Sequence, residues 1–419
     1  MKTSELLRKL TFDVYNMVTK SKLLELMRIR RENESSIIND TYVNERENRI
    51  KQHAIDTTIF YSKNPDFPIL SKSNIQNHIN DFISNEYRKE NLYKITTSGS
   101  YGTPSVFFRD SQKKYNQIAD VLYFGAQNGY FFGIKHAFIR GVKKSNLSLI
   151  IQNEIHLSPN KLNKDSMEYY YLKLRKVSYI VGFPSVILNF IDFCKYYNLK
   201  PLTNIKGITT TAEPLSTENQ KVISDFFKCD VTSRYASEEV GIIANRFQGE
   251  SFYRINHNSI KLNIYEIDED LPQKEGEEGR IIITDLFSYA MPLINYDTGD
   301  LGIIETVEEK GKQIKVLKEI TGRLVEQLFD QNDEKISPFA INVYLKDFKE
   351  IGQFQFIQED KATYKLLTSN VLSYQIKSEV AHGLKEILGK DIKLSMYYTS
   401  EMLKLASGKR PYIVNNYKK

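Results

Sequence analysis

Residues 96–104 read Thr96-Thr97-Ser98-Gly99-Ser100-Tyr101-Gly102-Thr103-Pro104. Gly99 and Gly102 let the backbone approach a polyanion, and the hydroxyls of Thr96, Thr97, Ser98 and Ser100 can donate to phosphate oxygens beside the backbone N–H groups. The preceding Leu92-Tyr93-Lys94-Ile95 is expected to be the strand that presents the loop. This is not a Walker A loop, which has four residues between its glycines followed by Lys and Ser or Thr. Alone, such a stretch also fits an ordinary turn; its weight comes from the motifs that accompany it.

On either side the chain alternates. From Tyr93 to about Phe227, short apolar runs such as VLYFGA, SLIIQ and YIVGF alternate with helical patterns such as SVILNFIDFCKYY and TENQKVISDFF. This rhythm predicts an α/β domain with a mainly parallel sheet. From Phe252 to Val307, YRINH, IKLNIYEID, GRIIITDL and LGIIETV read as antiparallel strands separated by charged or glycine turns, a β-rich subdomain. After Thr321-Gly322-Arg323 the pattern becomes helix, strand, strand, helix, strand over about 95 residues, a small α+β domain. The expected division is residues 1–321, with the β-rich subdomain at about 252–307, and residues 322–419.

Composition bounds the function. With 419 residues, 41% hydrophobic and 26% charged, the chain can bury large cores and is not disordered. Its 58 Lys and Arg against 52 Asp and Glu leave only +6, and pairs such as Lys143-Lys144 and Lys418-Lys419 read as solvated faces, so no nucleic acid partner is expected. Cys194 and Cys229 make no disulfide framework and suit a reducing compartment, as small core residues. The six histidines show no metal-ligand spacing with either cysteine, so no zinc site is expected. Leu6, Leu7, Leu10 and Tyr15 mark an amphipathic helix without the apolar core of a signal peptide. The most apolar run, residues 178–193, contains Gly182, Pro184, Asn189 and Asp192, so no membrane span is expected and the location read is cytoplasmic. The polar stretch from Arg28 to His53 is expected to form exposed helices around a loop.

Four more motifs follow the first in order. Thr211-Ala212-Glu213-Pro214-Leu215 is entered from the strand IKGITT, and its turn can line a pocket. Arg234-Tyr235-Ala236-Ser237-Glu238-Glu239-Val240-Gly241 offers an aromatic and a carboxylate at a strand end, suited to a purine face and a metal ion. In PLINYDTGDL, residues 292–301, Asp300 follows a Thr-Gly turn and can accept from ribose hydroxyls. Ser407-Gly408-Lys409 is the fifth.

The ordered set resembles the adenylate-forming superfamily, specifically the phenylacetate-CoA ligase branch and its relatives from capsule and surface-polysaccharide gene clusters, over roughly Tyr93 to Lys419. Val181-Gly182-Phe183-Pro184-Ser185 and the strand from Gly279 are further matches. The resemblance implies a large N-terminal α/β domain and a small mobile α+β C-terminal lid. It implies that Thr97, Ser98, Gly99, Ser100 and Gly102 hold the ATP phosphates and that Glu239 helps bind Mg²⁺. Asp300 and Arg323 would grip the ribose; Tyr235, with Ala236, Ser237, Ala212, Glu213 and Pro214, would frame the adenine; Lys409 would be the catalytic lysine. His136, beside the aromatic run Tyr130-Phe131-Phe132, is a candidate for the acyl pocket. The implied reaction activates a small-molecule carboxylic acid to an acyl-adenylate and passes the acyl group to coenzyme A. Alternatives are transfer to an amine, a sugar or a carrier-protein thiol, and a non-catalytic nucleotide-binding relative. A homodimer is compatible with the resemblance.

The chain departs from that pattern in four places. Tyr101 and Thr103 replace a usual Thr or Ser and a common Lys; Ala212 and Ala236 replace glycines, tolerable where φ stays negative. Asn295 and Asp297 flank Tyr296 where Arg is common, and Val325 stands at the usual Asp or Lys hinge.

Overall fold

The computed structural model describes residues 3–19, 21–34, 40–97, 105–141, 143–159, 164–309, 311–323, 328–336, 341, 344–345, 347–402 and 412–417. Ser98, Gly99, Ser100 and Gly102 of the first motif, Val325 and Lys409 lie outside these residues.

The first motif is flanked by an antiparallel pair, β1 (Tyr93–Thr97) and β2 (Ser105–Arg109), in register from Tyr93 opposite Arg109 to Thr97 opposite Ser105. Next come β3 (His136–Ile139), β4 (Glu154–Leu157), β5 (Tyr179–Gly182), β6 (Gly207–Thr211) and β7 (Asp230–Ser237). They lie in the order β4-β3-β5-β6-β7, all parallel. β5 is buried at every position, as a parallel strand covered on both faces should be. Helices cross between these strands; Pro184 opens Pro184–Tyr196 at its first turn, and Ser216 caps Thr217–Phe227 by accepting from Asn219 N.

The sheet does not stop at β7. β8 (Gly241–Arg246), β9 (Tyr253–Ile255), β10 (Ile260–Tyr265), β11 (Glu278–Asp285), β12 (Tyr296–Glu309) and β13 (Lys312–Arg323) continue it antiparallel, in the order β7-β8-β9-β13-β12-β11-β10. The strands expected of a β-rich subdomain are thus hydrogen-bonded into the same eleven-stranded sheet. In β10, buried and half-buried positions alternate, the mark of a sheet with one face on the core.

Past β13, β14 (Leu328–Phe329) pairs with β15 (Lys335–Ile336). A four-stranded sheet of β16 (Phe354–Asp360), β17 (Thr363–Thr368), β18 (Lys393–Tyr398) and β19 (Ile413–Asn415) packs on the helix Tyr374–Leu388, whose cap Ser373 accepts from Ile376 N. Phe356, Tyr364, Leu366, Val380 and Leu384 form its core. The architecture is therefore a large α/β sheet domain and a separate small α+β domain.

The polar stretch near the N-terminus behaves differently from its reading as exposed helices. It does form helices, Lys22–Glu34 and Asp40–Thr57, yet Arg30, Val43 and Ile50 are buried. Arg30 donates to Asp120 (2.9 Å), Asn116 Oδ1 (2.7 Å), Ser259 Oγ (3.1 Å) and the Leu26 carbonyl (2.9 Å). Ser259 in turn donates to Asp120 Oδ2 (2.8 Å), so the buried charge is met by a complete polar network. Among the described residues no helix is long and apolar enough to cross a membrane. Cys194 is fully buried in the core under the parallel strands and Cys229 packs against that core.

Candidate active site

Because β5, β6 and β7 run parallel, their carboxyl ends open on one side of the sheet. Val181-Gly182-Phe183-Pro184-Ser185, Thr211-Ala212-Glu213-Pro214 and Tyr235-Ala236-Ser237-Glu238-Glu239 sit at those three ends. In open α/β sheets this is where ligands bind.

Glu213 is buried and turned toward the helix Pro184–Tyr196: Ser185 donates to it from its backbone N (3.0 Å) and from its hydroxyl (3.0 Å). A carboxylate at a helix N-terminus is favoured by the dipole and by the otherwise unpaired N–H groups. Glu213 therefore clips the second motif to the VGFPS turn. Its charge also reaches Tyr412 of the small domain, which packs against Phe354; burial and the Glu213 charge push the Tyr412 hydroxyl far up. Pro214 is exposed beside it.

Ala212 has φ of +71°, so the condition for tolerating alanine in place of glycine is not met there. Ala236 keeps a negative φ, at a β-bulge after Tyr235. A left-handed alanine costs roughly 1–2 kcal/mol against glycine, part of which is returned through the unfolded state. Ala212→Gly should therefore stabilise the fold by about 0.5–1 kcal/mol. A urea midpoint that fails to rise would show that the Ala212 methyl earns its place by packing.

Opposite β7, the turn Asp297-Thr298-Gly299-Asp300 is built by its own side chains. Gly299 has φ of +73° and donates its N–H to Asp297 Oδ1 (2.8 Å), while Asp300 N donates to Thr298 Oγ1 (3.2 Å). Asp297 is held by Arg280 at 3.3 Å; burial raises its pKa, offset by the Gly299 N–H and by Arg280. Asn295, with φ of +50°, takes the left-handed conformation that asparagine tolerates and donates to the Phe67 carbonyl (2.7 Å). The turn brings Asp300 to Tyr235, whose hydroxyl donates to Asp300 Oδ2 at 2.7 Å. Across the strands Asp300 is in register with Arg323.

Glu239 is buried and accepts from the Tyr296 hydroxyl at 2.8 Å, with the Lys72 ammonium 3.7 Å away. Burial and the adjacent Glu239 push the Tyr296 pKa well above its ordinary value, so Tyr296 is a standing donor. Ser237 accepts from Val240 N (3.2 Å) and shapes the turn between them. Among the described residues no group of three or more His, Cys, Asp or Glu forms a metal cage. Mg²⁺ needs none, since it takes one or two carboxylates plus substrate phosphates. One carboxylate at this place fits that ion.

His136 is buried at the start of β3, 3.6 Å from Glu154 and edge-on to Tyr130. Burial would raise the Glu154 pKa, but the His136 hydrogen bond and the Lys144 and Arg140 charges bring it to about 2. His136 thus belongs to an ion cluster. Three participants drew no role from the sequence: Lys72, Ser185 and Tyr296. Ser185 and Tyr296 stand inside quoted motifs, whereas Lys72 is remote from all of them and carries no sequence signal.

The chain has the fold of the adenylate-forming acyl-CoA ligases, as the ordered motifs imply. It is similar to 2-hydroxyisobutyryl-CoA ligase, solved in the postadenylation state with 2-HIB-AMP, with a TM-score of 0.70 and 13% identity, over 90% of this chain and 89% of that one. ATP-bound MatB from Rhodopseudomonas palustris is similar with a TM-score of 0.54 and 14% identity, over 78% of this chain and 67% of that one. In sequence the chain is 23% identical over 370 residues to Protein CapK of Staphylococcus aureus, covering 84% of this chain and 80% of that protein. No protein-family model matches the chain.

Proposed function

We propose that the protein is an ATP-dependent ligase that activates a carboxylic acid as an acyl-adenylate, releases pyrophosphate, and then transfers the acyl group, most simply to the thiol of coenzyme A. The observation that carries this reading is the convergence of three motifs at the carboxyl ends of β5, β6 and β7 with the Tyr235–Asp300 hydrogen bond across from them. The similar 2-hydroxyisobutyryl-CoA ligase was also solved with 2-HIB-AMP and CoA, which supports both half-reactions.

In this reading Asp300 and Arg323 hold the ribose, and Tyr235, Ala236, Ser237, Ala212, Glu213 and Pro214 frame the adenine. Thr97 with the 98–104 stretch receives the phosphates. Tyr235, by donating to Asp300 Oδ2, fixes the carboxylate in one orientation. An oxygen of the substrate carboxylate attacks the α-phosphorus, and the bond to the bridging oxygen breaks as pyrophosphate leaves with that electron pair. Glu239 would hold Mg²⁺, which when bound offsets charge on the phosphates. In the second half-reaction the thiol attacks the acyl carbon, loses its proton, and AMP leaves. His136 stays a candidate for the acyl side of the site. The localisation proposed is cytoplasmic.

Purified protein with Mg²⁺, a suitable carboxylic acid and ATP should exchange labelled pyrophosphate into ATP. No exchange across aromatic, aliphatic, hydroxy and amino acids, with ATP still bound, would leave a nucleotide-binding protein without this activity. Adding coenzyme A should yield a thioester and AMP by mass spectrometry; an adduct formed only with amines, sugars or a carrier protein would change the acceptor. Asp300→Ala should weaken ATP binding about tenfold or more, because charge-assisted hydrogen bonds contribute about 1.5–3 kcal/mol each. An unchanged dissociation constant in the folded variant would reduce Asp300 to a turn residue.

A further inference from the structure

Lys72 opens the short helix Lys72–Asn77, whose Ser71 and Asn74 form a capping box. Gln76 clamps this helix to β2 in both directions: its Nε2 donates to the Val106 carbonyl (2.8 Å) and its Oε1 accepts from Val106 N (2.7 Å). Val106 is the second residue of the strand that leaves the 98–104 stretch. One residue further, the Phe107 ring lies 5.7 Å from the Lys72 ammonium and meets the Tyr296 ring edge-on at 6.1 Å. On its other side the ammonium is 3.7 Å from Glu239 Oε1, the atom that also accepts from Tyr296.

Segments distant in sequence therefore hold one cation between Phe107 of β2, the strand that follows residues 98–104, and Glu239 of the third motif. The motif itself has no Lys or Arg in residues 98–104. Hydroxyls and N–H groups can cradle phosphate oxygens, but they leave the charge of a triphosphate uncompensated, and a lysine ammonium is the compact charge suited to it. At 3.7 Å the pair with Glu239 is longer than a direct charge-assisted bond of about 2.7–2.9 Å, and the side chain remains 35% exposed. The ammonium can therefore turn to a phosphate oxygen without abandoning a tight partner.

We propose that Lys72 binds the outer phosphates of ATP, and of pyrophosphate before its release, supplying from the N-terminal region the cation that residues 98–104 lack. The inference rests on the adenylation reading. Calorimetric titration of the full chain with ATP, AMP and pyrophosphate, each with Mg²⁺, tests it in the wild type, Lys72→Met, Lys72→Gln and Lys72→Arg. Both neutral variants should lose about tenfold or more in affinity for ATP and pyrophosphate and keep AMP within twofold, while Lys72→Arg recovers most of the loss. AMP binding also reports that each variant is folded, and Gln retains a polar tip should Met perturb the packing on Phe107. ATP affinity unchanged in the neutral variants, or an equal loss for ATP and AMP, would overturn the role of Lys72 while leaving the adenylation reading in place. A wild type that binds neither nucleotide would overturn both.

Discussion

Lys409→Ala should lower the rate of adenylation by about 10² to 10³, the usual loss for one preorganised charge-stabilising donor. In the proposed adenylation, two negative groups crowd together as the carboxylate closes on the α-phosphorus, and a cation near both would offset the charge of the transition state. In the family that the motifs resemble, the small domain brings its lysine to the α-phosphate and then rotates so that another face serves the transfer. The same variant should then convert synthetic acyl-adenylate and acceptor to product near the wild-type rate. Val325 bears on this, because a β-branched side chain restricts the backbone more than Asp or Lys does at a hinge. Pyrophosphate exchange and single-turnover transfer, measured side by side, separate the two halves. An equal loss in both would mean that Lys409 stays in the site throughout.

The largest effect on stability is expected at Arg30. Arg30→Met removes the cation from a buried pair, leaving Asp120 among the described residues with the donation from Ser259, and should destabilise the sheet domain by about 3–5 kcal/mol. Arg30→Met combined with Asp120→Leu should recover part of that loss, since the cost lies mainly in the stranded charge. Urea denaturation followed by fluorescence reads both. If Arg30→Met alone leaves the midpoint in place, the network does not anchor the helix Lys22–Glu34.

What the sequence made legible divides along physical lines. Periodicity marked the helices Pro184–Tyr196 and Thr217–Phe227 and the buried strand β5, but the apolar runs VLYFGA and SLIIQ, read as strands, lie in the helices Ser111–Ala126 and Asn146–Ile151, because a short apolar run has the same local pattern in a buried strand and in a helix. The sharing of one sheet by β7, β8 and β9 with β13 was not legible, since pairing partners sixty residues apart leave no local trace. In the site, Tyr235, Glu239 and Asp300 were singled out as residues, and the structure brings Tyr235 and Asp300 into contact. The sign of φ at Ala212 was beyond reading, because alanine gives no warning of a left-handed turn as glycine would. Arg30 looked solvent-facing because its partners, Asn116, Asp120 and Ser259, come from segments far along the chain. Lys72 was invisible for the same reason.

The threading of the large sheet has a consequence during synthesis. β9 ends at Ile255, but its neighbour β13 supplies Val316 and Leu317 about sixty residues later. At about 5–20 residues per second, ribosomes hold that edge open for roughly 3–12 s after β9 has been made. During those seconds β9, already paired to β8 on its other side, offers unpaired N–H and C=O groups to any passing strand. The nascent chain is thus most exposed to mispairing in the middle of its sheet, and chaperone occupancy on ribosome-bound chains should peak while residues 256–311 are being added.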